Sequence, residues 1–130
     1  MENNNLKQID IAGKIVNILD SKKAQNIKLL KVTDQTIIAD YFVICTGNSN
    51  TQMKALADEV EYKLGLDGVK PQSIEGASEA LWIVLDYSCV IVHIFNKETR
   101  EFFKLEKLWC DAEDIDISKY IQVEKEDDNE

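Results

Sequence analysis

The chain is poor in residues that break or cross-link structure, and it has no long apolar run. Its 130 residues include one proline, five glycines and one histidine, and its three cysteines form no Cys-X-X-Cys pair. This cysteine usage indicates reduced thiols, as in a cytoplasmic protein. The apolar run VIVHIF has the length of a strand, so no membrane-spanning segment is predicted. The N-terminal MENNNLKQ lacks a basic and apolar signal region, so secretion is not expected.

Nucleotide-binding motifs are also missing, although the stretch YFVICTGNSNTQ has the outline of a phosphate site, with a strand, a glycine and a helix. It contains only Gly47 and no following Gly-Lys pair, so it matches neither GxGxxG nor a Walker motif. Ser49 and Gln52 match a capping box, in which Ser49 caps the helix and Gln52 bonds back to the N-cap N–H. We predict a strand-to-helix joint here, with anion binding by the same backbone as the alternative.

Metal ligands and catalytic acids show no convincing arrangement in the sequence. Asp58 falls inside a predicted helix, and Asp114 and Asp116 lie near the C-terminus, away from any predicted strand. A zinc site built from the three cysteines and His93 would lack the close ligand pairs typical of structural zinc. Cys–His nucleophilic chemistry would lack an orienting partner. We therefore predict no metal, no cofactor and no catalytic residue, and we interpret the cysteines and His93 as packing residues.

Basic residues are outnumbered, with 15 Lys and Arg against 24 Asp and Glu, giving a formal net charge of −9. Residues 111–130 hold nine of the acidic side chains and only two lysines. Nucleic-acid binding through clustered Lys and Arg is not indicated, whereas a basic protein partner fits this charge. We predict one domain over residues 1–112 and an acidic tail over 113–130, with mobile last residues.

Hydrophobic periodicity predicts the element order α-β-(β)-α-(β)-β-β-α. The helices are expected over 6–19, from Ser49 to a C-terminal Gly65, and over about 97–109. The strands are expected at IKLLKV, YFVICT and SIEG and in a hairpin of LWIVLD and CVIVHIF, with a short extended piece in TDQTIIAD. This order predicts an α/β or α+β fold in which helices pack on a mixed sheet.

The hairpin has two unlike faces if Tyr87 and Ser88 form its turn, because side chains alternate along a strand. In that register Trp82 opposes His93, and one face is entirely aliphatic and suited to lie under helices. The mixed face is either open to a partner or covered by the C-terminal helix. Its residues are Trp82, Val84, Asp86, Cys89, Ile91, His93 and Phe95.

The last predicted helix also has two faces. Phe102, Leu105 and Trp109 should share an apolar face. Basic residues recur at steps of three and four along another face, at Lys97, Arg100, Lys104 and Lys107. Trp109 is interpreted as a core residue, whereas Trp82 on the mixed face is the better candidate for a binding hot spot.

Several separate blocks resemble the ribosomal silencing factor family, also called RsfS or Iojap-related proteins. They are DYFVICTGNS, IEG, WIVLDY, VIVHIF and REFFKLEKLW, and the resemblance extends over roughly residues 6–110. It implies helices on a mixed sheet, distantly related to nucleotidyltransferases but without their catalytic acids. The matching positions are Asp40, Tyr41, Cys45, Thr46, Gly47, Ser49, Gln52, Glu75, Gly76, Trp82, Asp86, His93, Arg100, Leu105, Glu106 and Trp109.

The resemblance also implies a function. Members of the family bind the large ribosomal subunit through its fourteenth L-series protein and block joining of the small subunit, which represses translation when nutrients are short. Roles in large-subunit assembly are also attributed to the family. This chain departs from the family pattern at Ser88-Cys89, where Gly-Asp is common, and at Phe103, where tyrosine is common.

These observations lead to the expectation of a cytoplasmic, non-enzymatic ribosome-binding protein. We expect Trp82 to anchor the partner on the mixed face, with polar contacts from the last helix at the rim. The expected partner-binding residues are Trp82, Val84, Asp86, His93, Phe95, Arg100, Glu106 and Lys107. Two alternatives are a nucleotide-binding relic using residues 47–52 and a homodimer formed through the open sheet face.

Overall fold

The computed structural model describes residues 7–121, which form four helices and six strands. In chain order they are α1 (Gln8–Ser21), β1 (Gln25–Lys31), β2 (Tyr41–Thr46), α2 (Asn50–Leu66), β3 (Ser73–Glu75), β4 (Trp82–Asp86), β5 (Val90–Phe95), α3 (Lys97–Phe103), α4 (Leu105–Leu108) and β6 (Glu113–Ile115). The strands form one sheet in the order β3-β4-β5-β2-β1-β6. Only β2 and β5 are parallel neighbours. The predicted α+β fold with a mixed sheet is confirmed.

The larger core lies between one face of the sheet and the helices α1 and α2. Alternation along the strands sends the aliphatic side chains of the hairpin to this face. The buried strand residues here include Val43, Ile83, Leu85, Val92 and Ile94. The predicted aliphatic face and its helical cover are therefore confirmed. No helix among residues 7–121 is long and apolar enough to cross a membrane.

The smaller core lies on the opposite, mixed face of the sheet. Phe42, Ile91 and Phe95 are buried there together with Leu105 of α4, and Trp109 packs against them. The C-terminal helices thus cover part of this face. Trp82 and Val84 remain only half-buried at its margin. The mixed face is therefore covered by the C-terminal helices in one part and open in another, so each of the two expectations holds for part of it.

The hairpin register differs from the predicted one by two residues. Trp82 pairs with Phe95 and Val84 with His93, because the turn is formed by Ser88 and Cys89 rather than by Tyr87 and Ser88. A shift of two keeps the paired strand residues on their predicted faces, since the period of a strand is two. Cys89 is the exception, because it lies in the turn and packs against the larger core instead of the mixed face. Ser88 has φ +71°, in the left-handed region that glycine adopts most readily.

The prediction of a single C-terminal helix over residues 97–109 is wrong, because this segment forms the two helices α3 and α4. Lys104 has φ +48°, in the left-handed region, and it divides α3 from α4. As a result, Phe102 does not share a buried face with Leu105 as predicted. The Phe102 side chain is exposed, whereas Leu105 is buried. Lysine is a good helix former, so local propensity gave no sign of this break.

The end of α2 also differs from prediction. Gly65 lies inside the helix, and Gly68, with φ +80°, is the residue that ends it. The N–H of Gly68 donates to the carbonyl of Gly65, and the N–H of Val69 donates to that of Leu64. These two bonds form a Schellman motif, which satisfies the last carbonyls of a helix.

Residues 113–121 are attached to the domain, although we expected them in the acidic tail. β6 pairs with β1, which places Asp114 in a strand. Tyr120 packs against Gly13 of α1, and the side-chain amide of Asn17 donates to the Tyr120 carbonyl over 2.7 Å. The remainder of the expected tail, residues 122–130, lies outside the described residues.

The loop between β1 and β2 contains no strand, so the extended piece predicted in TDQTIIAD is wrong. The loop nevertheless adjoins the hairpin, because the N–H groups of Asp40 and Tyr41 both donate to the Cys89 carbonyl. Its two isoleucines, Ile37 and Ile38, are exposed.

Candidate protein-docking site

β4 presents three of the predicted partner-binding residues on the same side of the sheet. Trp82, Val84 and Asp86 alternate with the buried Ile83 and Leu85, and all three are half-buried. The outer neighbour of β4 is only the short edge strand β3, so this margin of the sheet stays accessible. The Asp86 carboxylate accepts the Ser88 N–H over 2.8 Å, which stabilises the hairpin turn.

An aromatic cluster fixes the orientation of Trp82. Its ring stacks on Phe95 with centroids 4.8 Å apart, and it contacts Phe103 of α3 at 4.9 Å. Its indole N–H donates to His93 Nδ1 over 3.1 Å. A large side chain held in one rotamer loses little entropy on binding, which favours its use as an anchor.

His93 and Phe95 support this surface from below and do not reach it. Phe95 is fully buried, and His93 is 7% exposed. Burial lowers the pKa of His93 to about 4, so the ring is neutral and Nδ1 is free to accept from Trp82. The second core encloses both side chains, so we assign them a supporting role beneath the surface in place of the direct partner contact expected from the sequence.

Arg100 is likewise an internal residue rather than a rim contact. Its guanidinium is buried and donates to the Asn26 carbonyl at 2.7 Å and to the Thr46 hydroxyl at 2.8 Å. It also donates twice to one carboxylate oxygen of Glu106, at 3.1 and 3.0 Å. These bonds connect α3 and α4 to the adjacent ends of β1 and β2.

Glu106 is engaged in the same way. Burial raises the pKa of its carboxyl group, but hydrogen bonds from its own backbone and from Arg100, with the charge of Arg100, outweigh burial and lower the pKa. The group is thus ionised and paired with Arg100. Of the predicted rim residues on the last helices, Lys107 alone has an exposed side chain.

Exposed apolar side chains extend the surface around Trp82 in a way that the sequence pattern did not predict. Phe102, Phe103 and Leu108 are 79%, 45% and 75% exposed, and Phe102 contacts Phe103 edge-to-face at 5.0 Å. Phe103 connects Phe102 to Trp82. Contiguous exposed apolar side chains are typical of interaction sites. The predicted helix placed Phe102 on one apolar face with Leu105 and Trp109, whereas Phe102 is exposed in the structure, in which the helix breaks at Lys104.

The strand-to-helix joint at residues 47–52 is satisfied within the protein. The Ser49 hydroxyl accepts the Gln52 N–H over 3.0 Å, which confirms the predicted cap. The Gln52 side chain bonds back to the N–H of Asn48, one residue earlier than predicted, and its amide donates to the carbonyls of Lys22 and Lys23. The Ser49 hydroxyl, the Gln52 side chain and the N–H groups of Asn48 and Gln52 thus all have partners within the protein.

The cysteines and His93 do not converge on a metal site. Cys45 is buried in the larger core, whereas His93 belongs to the opposite face of the sheet, and Cys110 is exposed. Residues 7–121 contain no group of three or more His, Cys, Asp or Glu side chains placed to hold a metal ion.

By its fold the chain is a small α+β protein, and its candidate site is an apolar and aromatic surface beside a sheet edge. It belongs to the RsfS family, described as ribosomal silencing factor during starvation, whose profile matches residues 5–130. The resemblance drawn from the separate sequence blocks is thereby confirmed.

Individual relatives agree with this assignment. The chain is 38% identical over 106 residues to "Ribosomal silencing factor RsfS" of Halalkalibacterium halodurans, covering 82% of this chain and 91% of that protein. A crystal structure of a Chromobacterium violaceum protein superposes with a TM-score of 0.78 at 30% identity, covering 80% of this chain and 87% of the other. The mouse protein "Mitochondrial assembly of ribosomal large subunit protein 1" is 32% identical, covering 73% of this chain and 43% of that protein.

Proposed function

We propose that this protein docks on the large ribosomal subunit through its fourteenth L-series protein and blocks joining of the small subunit by occupying the space that the small subunit needs. Membership of the ribosomal silencing factor family is the observation that carries this proposal. The mouse relative, whose name refers to the large subunit, supports the choice of subunit. The protein would act in the cytoplasm, where it would repress translation during nutrient limitation.

The docking surface in this proposal is centred on Trp82, with Val84 and Asp86 beside it on β4. Phe103 and Lys107 complete it from the C-terminal helices. His93, Phe95, Arg100 and Glu106 hold these residues in place from inside. An aromatic anchor surrounded by apolar and polar neighbours is the usual composition of an interface hot spot, and Asp86 suits a basic partner.

The proposal requires no catalytic step. Steric blocking needs only a rigid surface of sufficient affinity, and the names of the bacterial relatives describe a regulatory role. A role in large-subunit assembly is the second candidate, supported by the name of the mouse relative. A homodimer formed through the Trp82 surface would compete with ribosome docking, since both would use the same side chains.

Replacement of Trp82 by alanine tests the docking surface. We expect Trp82→Ala to weaken binding to isolated large subunits by at least about tenfold, because truncating a hot-spot residue typically removes 2 kcal/mol or more. Co-sedimentation gives the affinity, and light scattering on adding small subunits reports inhibition of joining. Phe103→Ser, which alters a more exposed side chain, should weaken binding in the same direction.

Tyr62→Ala is the matched control, since Tyr62 is an exposed aromatic residue on α2, across the sheet from Trp82. It should bind and inhibit like the unmodified protein. Unchanged affinity of a folded Trp82→Ala protein would contradict the proposed surface. Tight binding of the unmodified protein without inhibition of joining would favour the assembly role instead.

A further inference from the structure

A basic pocket lies where β1 begins and β2 ends, against α3 and α4. Its volume is about 710 Å³, within the usual range for small-molecule sites. The acidic residues at its wall are Glu101 and Glu106. The cationic residues are Lys28, Lys97, Arg100, Lys104 and Lys107, which include all four of the basic residues predicted to share a helix face.

An irregularity in β1 helps to form this pocket. The register of β1 against β2 shifts between Gln25 and Lys28, and Asn26 has φ +50°. Such a bulge bends the strand away from regular pairing, which leaves space between its start and α3. The buried Arg100 bridges the base of that space through the Asn26 carbonyl and the Thr46 hydroxyl.

The positive charge of the pocket is only partly compensated. Arg100 is paired with Glu106, and the Lys28 ammonium is 3.0 Å from a carboxylate oxygen of Asp114. Lys97, Lys104 and Lys107 are exposed and have no ion-pair partner among residues 7–121. Three unpaired ammonium groups around one cavity stand out in a chain whose acidic residues outnumber its basic ones. Converging cations of this kind favour a ligand with several negative charges.

We propose that this pocket binds a short oligophosphate, either inorganic or as the phosphate chain of a nucleotide. Ile27 is the one apolar residue among those that line it, and no aromatic side chain lines it on which a base would stack. The phosphate chain is therefore the part of the ligand that is recognised. A long RNA strand fits less well, because the site is concave and Glu101 and Asp114 lie at or beside it.

This site is separate from the capped joint at residues 47–52, of which no residue lines the pocket. It shares only Lys107 with the proposed docking surface. Lys97 and Lys104 therefore test the pocket without changing a residue assigned to ribosome docking.

Calorimetric titration of the full chain with tripolyphosphate, pyrophosphate and ATP tests the proposal. We expect tripolyphosphate and ATP to bind with similar affinity, and pyrophosphate more weakly because it carries less charge. The double variant Lys97→Gln/Lys104→Gln should weaken tripolyphosphate binding by about tenfold or more, since it removes two of the three unpaired cations. The control Lys54→Gln/Lys70→Gln removes two exposed lysines outside the pocket and should leave the affinity unchanged.

Absence of tripolyphosphate binding would overturn the proposal, as would equal weakening in both double variants, which would indicate attraction to charge in general. Much tighter binding of ATP than of tripolyphosphate would overturn recognition of the phosphate chain alone. If a short single-stranded RNA bound far more tightly than tripolyphosphate and the same two lysines were required, the ligand of the pocket would be RNA and the oligophosphate proposal would be overturned. These results do not depend on ribosome binding, so they are separate from the test with Trp82→Ala.

Discussion

His93, the only histidine in the chain, connects the interior of the protein to its candidate docking surface. Its Nδ1 accepts the indole N–H of Trp82, while its Nε2 has no hydrogen-bond partner among the described residues. A second proton would place a charge on Nδ1, remove the acceptor for Trp82 and bury a cation. The neutral ring is therefore required both for stability and for the position of Trp82.

This arrangement makes the stability of the protein depend on pH. The pKa of His93 in the folded protein, about 4, is below its value of about 6.5 in the unfolded chain, so the unfolded state binds the proton more readily. The contribution of His93 is fully present above pH 6.5 and is lost as the pH falls through the folded pKa. We expect the free energy of unfolding to decrease by about 2–3 kcal/mol between pH 6.5 and 4 from this group alone. Urea unfolding across this range measures the effect.

The control for this prediction is His93→Asn, which keeps a side-chain acceptor for Trp82 and cannot titrate in this range. Its unfolding free energy should be lower at pH 7 but should change less between pH 6.5 and 5, above the range where most carboxylates titrate. The single imidazole also gives one set of NMR signals. A midpoint near 6.5 for those signals in the folded protein would contradict the prediction.

At the scale of elements, the C-terminal segment, residues 113–121, connects the edge of the sheet at β1 with α1. β6 covers the edge of β1, and Tyr120 lies so close to Gly13 that a Cβ on that residue would overlap the tyrosine ring. The absence of a side chain on Gly13 thus permits the segment to cross α1. Ile117 and Ile121 add apolar contact with the larger core.

We expect Tyr120→Ala to lower the free energy of unfolding by about 1–3 kcal/mol, less than for a fully buried aromatic residue because Tyr120 is only half-buried. Chemical denaturation followed by circular dichroism gives the value. Asp111→Ala, an exposed residue of the preceding turn, should change it by less than about 0.5 kcal/mol. Equal stability of the two variants would show that the segment does not contribute to the fold.

Elements with a clear apolar pattern could be predicted from the sequence, and those set by tertiary contacts could not. YFVICT and VIVHIF are continuous apolar runs of strand length, and both are strands buried on the two faces of the sheet. Ser88 was predicted in the hairpin turn, but the two-residue offset of the pairing was not, and neither was the break at Lys104. Both residues have φ > 0, which serine and lysine usually avoid, so no local signal marked these features. The burial of Phe95 and Arg100 is set by contacts between elements distant in the sequence, which the strand and helix patterns do not encode.

At the scale of the whole molecule, the two faces of the sheet are unequally supported. Among the described residues, twenty form the larger core under α1 and α2, and eight form the smaller core under α3 and α4. The last two helices have seven and four residues, which is too short for independent stability. They should therefore open locally at a lower free energy than the rest of the domain.

Hydrogen exchange monitored by mass spectrometry tests whether α3 and α4 open at a lower free energy than the rest of the domain. Peptides from residues 97–108 should exchange well before those from α2, with the central strands slowest of all. Bound large subunit should slow exchange at 97–108 if these helices form part of the proposed docking surface. Equal protection of α2 and residues 97–108 in the free protein would contradict the expected difference between the two faces.

Arg100 has a consequence for any mutational survey of this protein. Its guanidinium joins α3 and α4 to the ends of β1 and β2. Arg100→Ala would therefore detach these two helices from the sheet and displace Phe103 and Lys107, which they carry. Loss of ribosome binding in such a variant would reflect a displaced surface and not a missing contact. Alanine substitution of a residue can thus cause one of the largest losses of binding affinity although its side chain does not contact the partner.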